Sequence, residues 1–343
     1  PEILESNCTA WGDWDGDGDL DLFIGNENQR MAGFVYQNGG NGAFTLAQTI
    51  SADDSPEFPT AQDRIDGVDW GDYDGDGDDD LVIDSKIKEV TDYVEHVLIY
   101  TSGGGALDSD WAATDQATDD THAVAWGDWD SDGRLDLAVG NDEAPLRIYS
   151  YNGGTPSLAW SSTLTDPVRS LAWGDWDADG DLDLAVGNDG APNRVYANDG
   201  GSLGVAWSAP VVSATQSVAW GDWDEDGDLD LAVGNDSQPN QIYVNDGGTL
   251  SPAWTSSETD ATWSVAWGDW DADGDLDLAT GNVGAHNRVY TNTGGGLALA
   301  WSAPVVSATH SVAWGDYDGD GTVDLAVGND AQPNQVYTNT GGG

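Results

Sequence analysis

The chain has 343 residues, with 63 acidic against 9 basic side chains and a formal net charge of −54. That charge excludes recognition of a phosphate backbone, which needs a basic surface, and 18 Trp set the chain apart from acidic disordered sequences, which are poor in aromatics. No apolar run approaches the roughly 18 residues of a membrane-spanning helix, and a single cysteine, Cys8, leaves no internal disulfide framework and no cysteine-based zinc cluster. Pro1 opens the sequence without an initiator Met or a signal-like apolar stretch, which reads as a processed chain or a fragment.

Along the chain the dominant feature is a repeat. The string Trp-Gly-Asp-(Trp/Tyr)-Asp-x-Asp-Gly-x-x-Asp occurs seven times, its first Asp at Asp13, Asp72, Asp128, Asp175, Asp222, Asp269 and Asp316. The intervals of 59, 56, 47, 47, 47 and 47 residues set a unit of 47, with about ten extra residues around 47–64, two near Gly33 and seven at 85–95. The fourth copy is the clearest. Residues 170–173 alternate, 175–183 form an acidic loop and 184–187 are apolar and strand-like. Residues 194–196 make another strand, closed by the turn Asn198-Asp199-Gly200-Gly201, and 205–207 make a fourth. Four short strands per unit with Gly-rich turns predict a blade, so the chain is expected to be all-β, a seven-bladed β-propeller forming one domain over residues 1–343. The apolar residues lack the 3.6-residue period of a helical solenoid.

Counting the first Asp as position 1, each acidic loop offers oxygens at positions 1, 3, 5, 7 and 9. These are Asp13, Asp15, Asp17, Asp19 and Asp21 in the first loop; Asp72, Asp74, Asp76, Asp78 and Asp80 in the second; Asp128, Asp130, Asp132, Arg134 and Asp136 in the third. Asp175, Asp177, Asp179, Asp181 and Asp183 follow, then Asp222, Asp224, Asp226, Asp228 and Asp230. The last two sets are Asp269, Asp271, Asp273, Asp275 and Asp277, and Asp316, Asp318, Asp320, Thr322 and Asp324. Arg134 and Thr322 at position 7 imply that only its main-chain carbonyl is used. Position 6 is Gly in all seven loops, as a sharp turn through positive φ requires. Alternate oxygens converging from a tight loop suit Ca²⁺, which takes six to eight of them, whereas Mg²⁺ keeps its waters and uses few protein ligands. Asp and Gly are also plain turn formers, but four fixed carboxylates in each of seven loops would repel without a cation. Up to seven Ca²⁺ are expected, which would bring −54 to −40.

Asp-x-Asp-x-Asp-Gly-x-x-Asp followed by Leu-Ala-Val-Gly-Asn and then Asn-Arg-Val-Tyr resembles the FG-GAP/VCBS repeat over essentially the whole chain. The resemblance implies the seven-bladed propeller of integrin α-subunit heads, with the loops between the first and second strands of each blade. It is also similar to fungal lectins with integrin-like propellers. Sites of this kind fill at extracellular rather than cytosolic calcium, so a secreted or cell-surface location is expected.

Comparison among the repeats separates scaffold from candidate site. Trp stands two residues before each loop, Trp or Tyr at position 2, and a further Trp in the fourth strand of blades 2 to 6 (Trp111, Trp160, Trp207, Trp254, Trp301). These 17 Trp are expected to pack blade on blade. Six residues before each loop the chain instead reads Asn7, Asp66, His122, Arg169, Gln216, Trp263 and His310. That position opens the innermost strand, so the seven should ring the channel mouth on the face opposite the loops. The ring could bind a ligand, or it could be a tolerant or plugging position. The recurring Asn and Arg/Gln between the second and third strands (Asn193-Arg194, Asn240-Gln241, Asn287-Arg288, Asn334-Gln335) could meet sugar hydroxyls or tie adjacent blades. Lys86-Ile87-Lys88 holds both lysines and reads as a local cationic spot for a partner. Asn7-Cys8-Thr9 and Asn235-Asp236-Ser237 are weak glycosylation signals.

The sequence lacks Gly-x-Ser-x-Gly, His-Glu-x-x-His and a phosphate loop, so an enzyme is not expected. A polysaccharide lyase would depend on His122, Arg169 and His310. The ends supply 40 residues where a unit has 47, and the missing seven match 203–209, the outer strand of the fourth copy. The last blade is therefore expected to lack that strand, leaving an edge open to strand addition, even to a filament. The expected role is a glycan- or protein-binding adhesion module, with a structural subunit of a surface assembly as the alternative.

Overall fold

The computed structural model describes residues 5–27, 33–40, 43–50, 63–88, 93–103, 106–113, 119–294, 296–330 and 332–341. All regular elements among them are strands, and no helix is long and apolar enough to cross a membrane. Each repeat is an antiparallel sheet whose strands pair in chain order. In blade 4 these are Val168–Gly174, Asp183–Ala191, Arg194–Asn198 and Leu203–Ser208. The first strands pack against one another from blade to blade, and that of blade 1 (Glu5–Gly12) meets that of blade 7 (Ser307–Gly315). The sheets therefore form a closed ring with the first strands innermost.

Burial follows from this placement. The second strand is covered by a neighbouring blade on each face, and Asp183 through Asn188 are all buried, a continuous run that a one-sided sheet would not permit. The fourth strand lies outermost, and Gly204, Val205 and Ala206 are exposed.

The Trp-Gly pair before each loop forms the seam between blades. A Cβ on Gly12, Gly127, Gly174, Gly221 or Gly268 would come within 2.6–2.8 Å of the next blade's Trp ring. Trp70, Trp173, Trp220, Trp267 and Trp314 also donate their indole N–H to a carbonyl of the preceding blade at 3.0–3.4 Å. Glycine is thus needed there for space rather than for its backbone freedom. Polar ties repeat beside it: Ser170, Ser217 and Ser264 each accept the N–H of a valine one blade on, at 3.0–3.1 Å. Ser311 closes the ring on Thr9, accepting its N–H at 3.2 Å and sharing a hydroxyl contact at 2.7 Å.

The recurring loop Asn residues tie blades and do not face a ligand. Asn193, Asn240, Asn287 and Asn334 donate to Thr215, Thr262, Thr309 and Ser6 of the following blade at 2.8–3.0 Å. Arg147, Arg194 and Arg288 pair with Asp119, Asp166 and Asp260 of their own blades. Both glycosylation signals fall on buried asparagines, Asn7 and Asn235, which leaves no room for a glycan. Cys8 is a core residue whose thiol burial pushes well up.

The seven extra residues of blade 2 lengthen one hairpin, Asp80–Lys88 against Tyr93–Ser102. In blade 1 the extra residues fall partly in the outer strand Phe44–Ile50 and otherwise at 51–62, outside the described residues. Blade 7 ends its sheet at its third strand, Gln335–Tyr337, and among the described residues nothing pairs with the far side of that strand.

Candidate metal loops and channel-mouth site

All seven acidic loops share one conformation. The position 1 carboxylate accepts the N–H of the position 6 glycine at 2.9–3.2 Å. The position 5 carboxylate accepts the N–H of position 7 at 2.9–3.0 Å. Position 6 takes φ between 87° and 102°, so glycine is required there. Position 4 is left-handed too, and this the sequence reading missed. Gly16, Gly75 and Gly319 sit there without cost, but Ser131, Ala178, Glu225 and Ala272 hold φ of 57–60°. Four side chains in that region are strain concentrated in the loops.

Position 9 anchors the loop. Asp21, Asp80, Asp136, Asp183, Asp230, Asp277 and Asp324 are buried at the start of the second strand. One oxygen accepts the N–H of the aromatic residue at position 2, at 2.8–3.2 Å. The other accepts an N–H at the end of the third strand or just past it, at 2.7–2.9 Å. Burial pushes the first six of these carboxyls up to about 6, against the hydrogen bonds that favour the charged form. The loop carboxylate at position 3 adds repulsion, as Asp74 does to Asp80.

Carboxylate oxygens converge within 4.8 Å in Asp13–Asp15–Asp17, Asp72–Asp74–Asp80, Asp128–Asp130–Asp136 and Asp175–Asp177–Asp183. The first triad uses positions 1, 3 and 5. The other three use 1, 3 and 9, with Asp76, Asp132 and Asp179 outside them. Position 7 turns its side chain away from the cluster: Asp181 and Asp228 accept N–H groups of the third-to-fourth-strand turn, and Arg134 lies over the Tyr151 ring. Asp13 and Asp222 each keep a buried oxygen without a hydrogen-bond partner among the described residues. Crowded acceptors, raised carboxyls and orphaned oxygens are what a hard divalent cation would relieve, so the residues present fit one.

At the other end of the first strands, Asn7, Asp66, His122, Arg169, Gln216, Trp263 and His310 line one cavity of about 100 Å³, joined by Arg64. The device that gathers them is a β-bulge. In blades 1 and 3 to 7 the register slips at the ring residue, between Ser6 and Cys8, Thr121 and Ala123, Val168 and Ser170, Thr215 and Ser217, Thr262 and Ser264, and Thr309 and Ser311. A bulged residue leaves the ladder and its side chain is re-aimed, here into the channel. In blade 2 Asp66 lies in a break between the short strands Asp63–Arg64 and Val68–Gly71.

The mouth is electrically organised. Asp66, its side chain 7% exposed, accepts from Asn7 at 3.0 Å and pairs with Arg64 and with Lys86 at 3.3 Å. Lys86 also pairs with Asp120 and lies 3.4 Å from His122. It is therefore a buried member of this cluster and not the exposed cationic spot expected from the sequence; the side chain of Lys88 lies outside the described residues. Hydrogen bonds from His122 and Lys86 hold the Asp120 carboxyl far below its usual range. Arg169 reaches Asp142 at 2.9 Å and Asp189 at 3.7 Å. Trp263 lies against His310 with ring centroids 4.3 Å apart, and burial lowers the His310 imidazole. Arg64, Lys86, Asp120 and Asp142 were not identified as mouth residues from the sequence. The signal available was the placement of both lysines in the blade 2 insertion.

Residues 13–83, 128–186, 175–233, 222–280 and 273–327 match the FG-GAP-like repeat. The chain belongs to the FG-GAP-like repeat family. FG-GAP-like units thus account for most of the ring. No curated relative matches the sequence at a significant level. Among solved structures, the chain is similar to BBS1N in its complex with ARL6DN (TM-score 0.64, 12% identity, 98% of this chain and 92% of that one). It is also similar to a chain of the Mitotic Checkpoint Complex (TM-score 0.62, 14% identity, 96% and 88%) and to Saccharomyces cerevisiae Sqt1 (TM-score 0.63, 12% identity, 92% and 80%). At these identities the likeness concerns the fold alone: all-β, four-stranded blades repeated as a propeller.

Proposed function

We propose that this FG-GAP-like propeller is an extracellular, calcium-stabilised binding module that takes a saccharide group at its channel mouth. The observation that carries the reading is the mouth cavity itself: seven side chains that differ from repeat to repeat, on a scaffold otherwise near-identical, are turned by bulges into one space. Asn7, Gln216 and Arg169 supply hydrogen-bonding groups beside the aromatic Trp263, a combination suited to the polar edges and apolar face of a sugar ring. Calcium's role in this reading is structural. Bound at the loops, it would neutralise the converging carboxylates and hold the first and second strands of each blade together. No residue is assigned a catalytic role, because the carboxylates are absorbed by the loops and the mouth histidines by ion pairs and stacking.

The test is a glycan array with saturating calcium, with chelator, and with Trp263→Ala. Calcium-dependent binding that the substitution abolishes supports the reading. A folded, calcium-loaded protein that binds no glycan refutes it.

A further inference from the structure

Blade 3 brings three metal-ligating side chains together at the mouth, away from the acidic loops. Its first strand, Asp120–Gly127, pairs antiparallel with its second, Asp136–Asp142, and the register sets Asp120 directly opposite Asp142. Like charges facing each other across a ladder destabilise it. The blades that follow avoid this juxtaposition: two residues before the ring position they carry Pro167, Ala214, Ala261 and Ala308. In blade 3 the bulge between Thr121 and Ala123 adds the ring residue His122 to the same spot. One ligand atom from each of Asp120, His122 and Asp142 lies within 4.8 Å of the other two. Across a metal with bonds of about 2.1 Å, two ligands stand at most about 4.2 Å apart, so small side-chain movements close the site.

The surroundings of the three fit a cation as well. Nε2 of His122 is 3.1 Å from Asp120, and its Nδ1 faces Oδ2 of Asp66 at 3.7 Å. A metal-bound imidazole uses such a carboxylate to fix its tautomer through the other ring nitrogen, and this oxygen accepts no hydrogen bond among the described residues. The place between the ligands is held by an ammonium: Lys86 pairs with Asp120 and lies 3.4 Å from Nε2. Arg169 holds Asp142 at 2.9 Å. Each base has a second carboxylate within reach, Asp66 for Lys86 at 3.3 Å and Asp189 for Arg169 at 3.7 Å. Asp120 and Asp142 can therefore turn to a metal without leaving either base unpaired, which is the costly outcome away from solvent.

We infer that Asp120, His122 and Asp142 form a site for a divalent transition ion of the Zn²⁺ class, chemically distinct from the seven loops. An imidazole with carboxylates suits zinc and its first-row neighbours, whereas Ca²⁺ takes oxygen ligands. Three protein ligands leave a zinc ion one position open, for a water or a ligand oxygen. The inference does not depend on a saccharide at the mouth.

The test is a titration of Co²⁺, followed by Zn²⁺, into the full chain near neutral pH with Ca²⁺ saturating the loops. Expected is one Co²⁺ per chain, with the strong visible absorption of a four- or five-coordinate ion, bleached when Zn²⁺ replaces it. His122→Ala should abolish the absorption, and Asp142→Asn should weaken binding by about tenfold or more. His286→Ala, whose imidazole meets the Ala303 carbonyl at 2.7 Å away from the mouth, should leave it unchanged. Lys86→Met removes the competing ammonium and should bind more tightly, with circular dichroism reporting the fold of each variant. No absorption, absorption that survives His122→Ala, or weaker binding by a folded Lys86→Met chain overturns the proposal. A chain that binds Co²⁺ in this way but no glycan supports the metal site and fails the saccharide reading alone.

Discussion

Alanine at a seam glycine should be costly in one place and cheap in an equivalent one. A Cβ on Gly268 would lie 2.7 Å from both Cγ and Cδ1 of Trp314. Trp314 cannot swing aside, because its indole N–H is held by the Ala266 carbonyl at 3.1 Å and its ring by Trp270, 5.7 Å away. Overpacking of this kind costs about 1–3 kcal/mol, of which alanine recovers roughly 0.4–1 kcal/mol through the unfolded chain. A net loss of about 1–2 kcal/mol is expected for Gly268→Ala. At Gly315, in the seam that closes the ring, the nearest Trp11 atom is 3.4 Å away and the Trp11 indole N–H has no partner among the described residues. Gly315→Ala should therefore be neutral within about 0.5 kcal/mol or slightly stabilising, by the same unfolded-chain term. At roughly 2 °C per kcal/mol for a chain of this size, scanning calorimetry in saturating calcium should separate the two variants by about 2–4 °C. Equal shifts, or a larger loss at Gly315, would show that the seam glycines are not set by the neighbouring indole.

Three further outcomes are expected. In chelator, the position 9 carboxyls, pushed up to about 6 in Asp21, Asp80, Asp136, Asp183, Asp230 and Asp277, favour the folded state when protonated. Their contribution is complete below the unfolded carboxylate range and is lost as pH rises through 6. The melting temperature should thus fall between pH 4.5 and 7.5 in chelator and rise over that window in saturating calcium; parallel curves would refute a cation at the loops. Ala178→Gly relieves a left-handed φ of 58°; a strain of about 1–2 kcal/mol less a glycine penalty of about 0.5–1 kcal/mol leaves a gain near 0.5–1 kcal/mol, measurable by urea unfolding. Asn240→Ala removes a donor to Thr262 at 2.9 Å and an acceptor for the Asn235 N–H at 3.0 Å, both buried. It should cost about 2–4 kcal/mol by the same assay.

Much of this was legible because the chain contains its own alignment. The repeat of Trp-Gly-Asp gives blade count, strand order and the loops, since one pattern had to satisfy the same geometry at each copy. The mouth ring was legible for the opposite reason: Asn7, Asp66, His122, Arg169, Gln216, Trp263 and His310 depart from repetition among invariant neighbours. What the sequence hid was local conformation and long-range pairing. Bulges have no residue signature at these positions, so the re-aiming of the ring could be placed but not explained. The left-handed position 4 was masked because Ala178, Glu225 and Ala272 are not residues that announce positive φ. Lys86 read as exposed because its partners Asp66 and Asp120 lie outside its own hairpin, 20 and 34 residues away.

The bonds that join neighbouring blades recur at fixed sequence offsets. Asn donates to Thr 22 residues on, Trp to a carbonyl 43 residues on or 48 back, and Asn to a carbonyl 69 back. Deleting or duplicating the whole 47-residue unit of blade 5 therefore returns each of these donors to an identical acceptor, and only the curvature of the ring must change. For a gene encoding this chain, copy number of the unit is a variable that recombination can alter in a single step without breaking a joint, and length added between the paired strands leaves a joint intact too, as where Trp70 keeps its bond to the Ala10 carbonyl 60 residues back instead of 48.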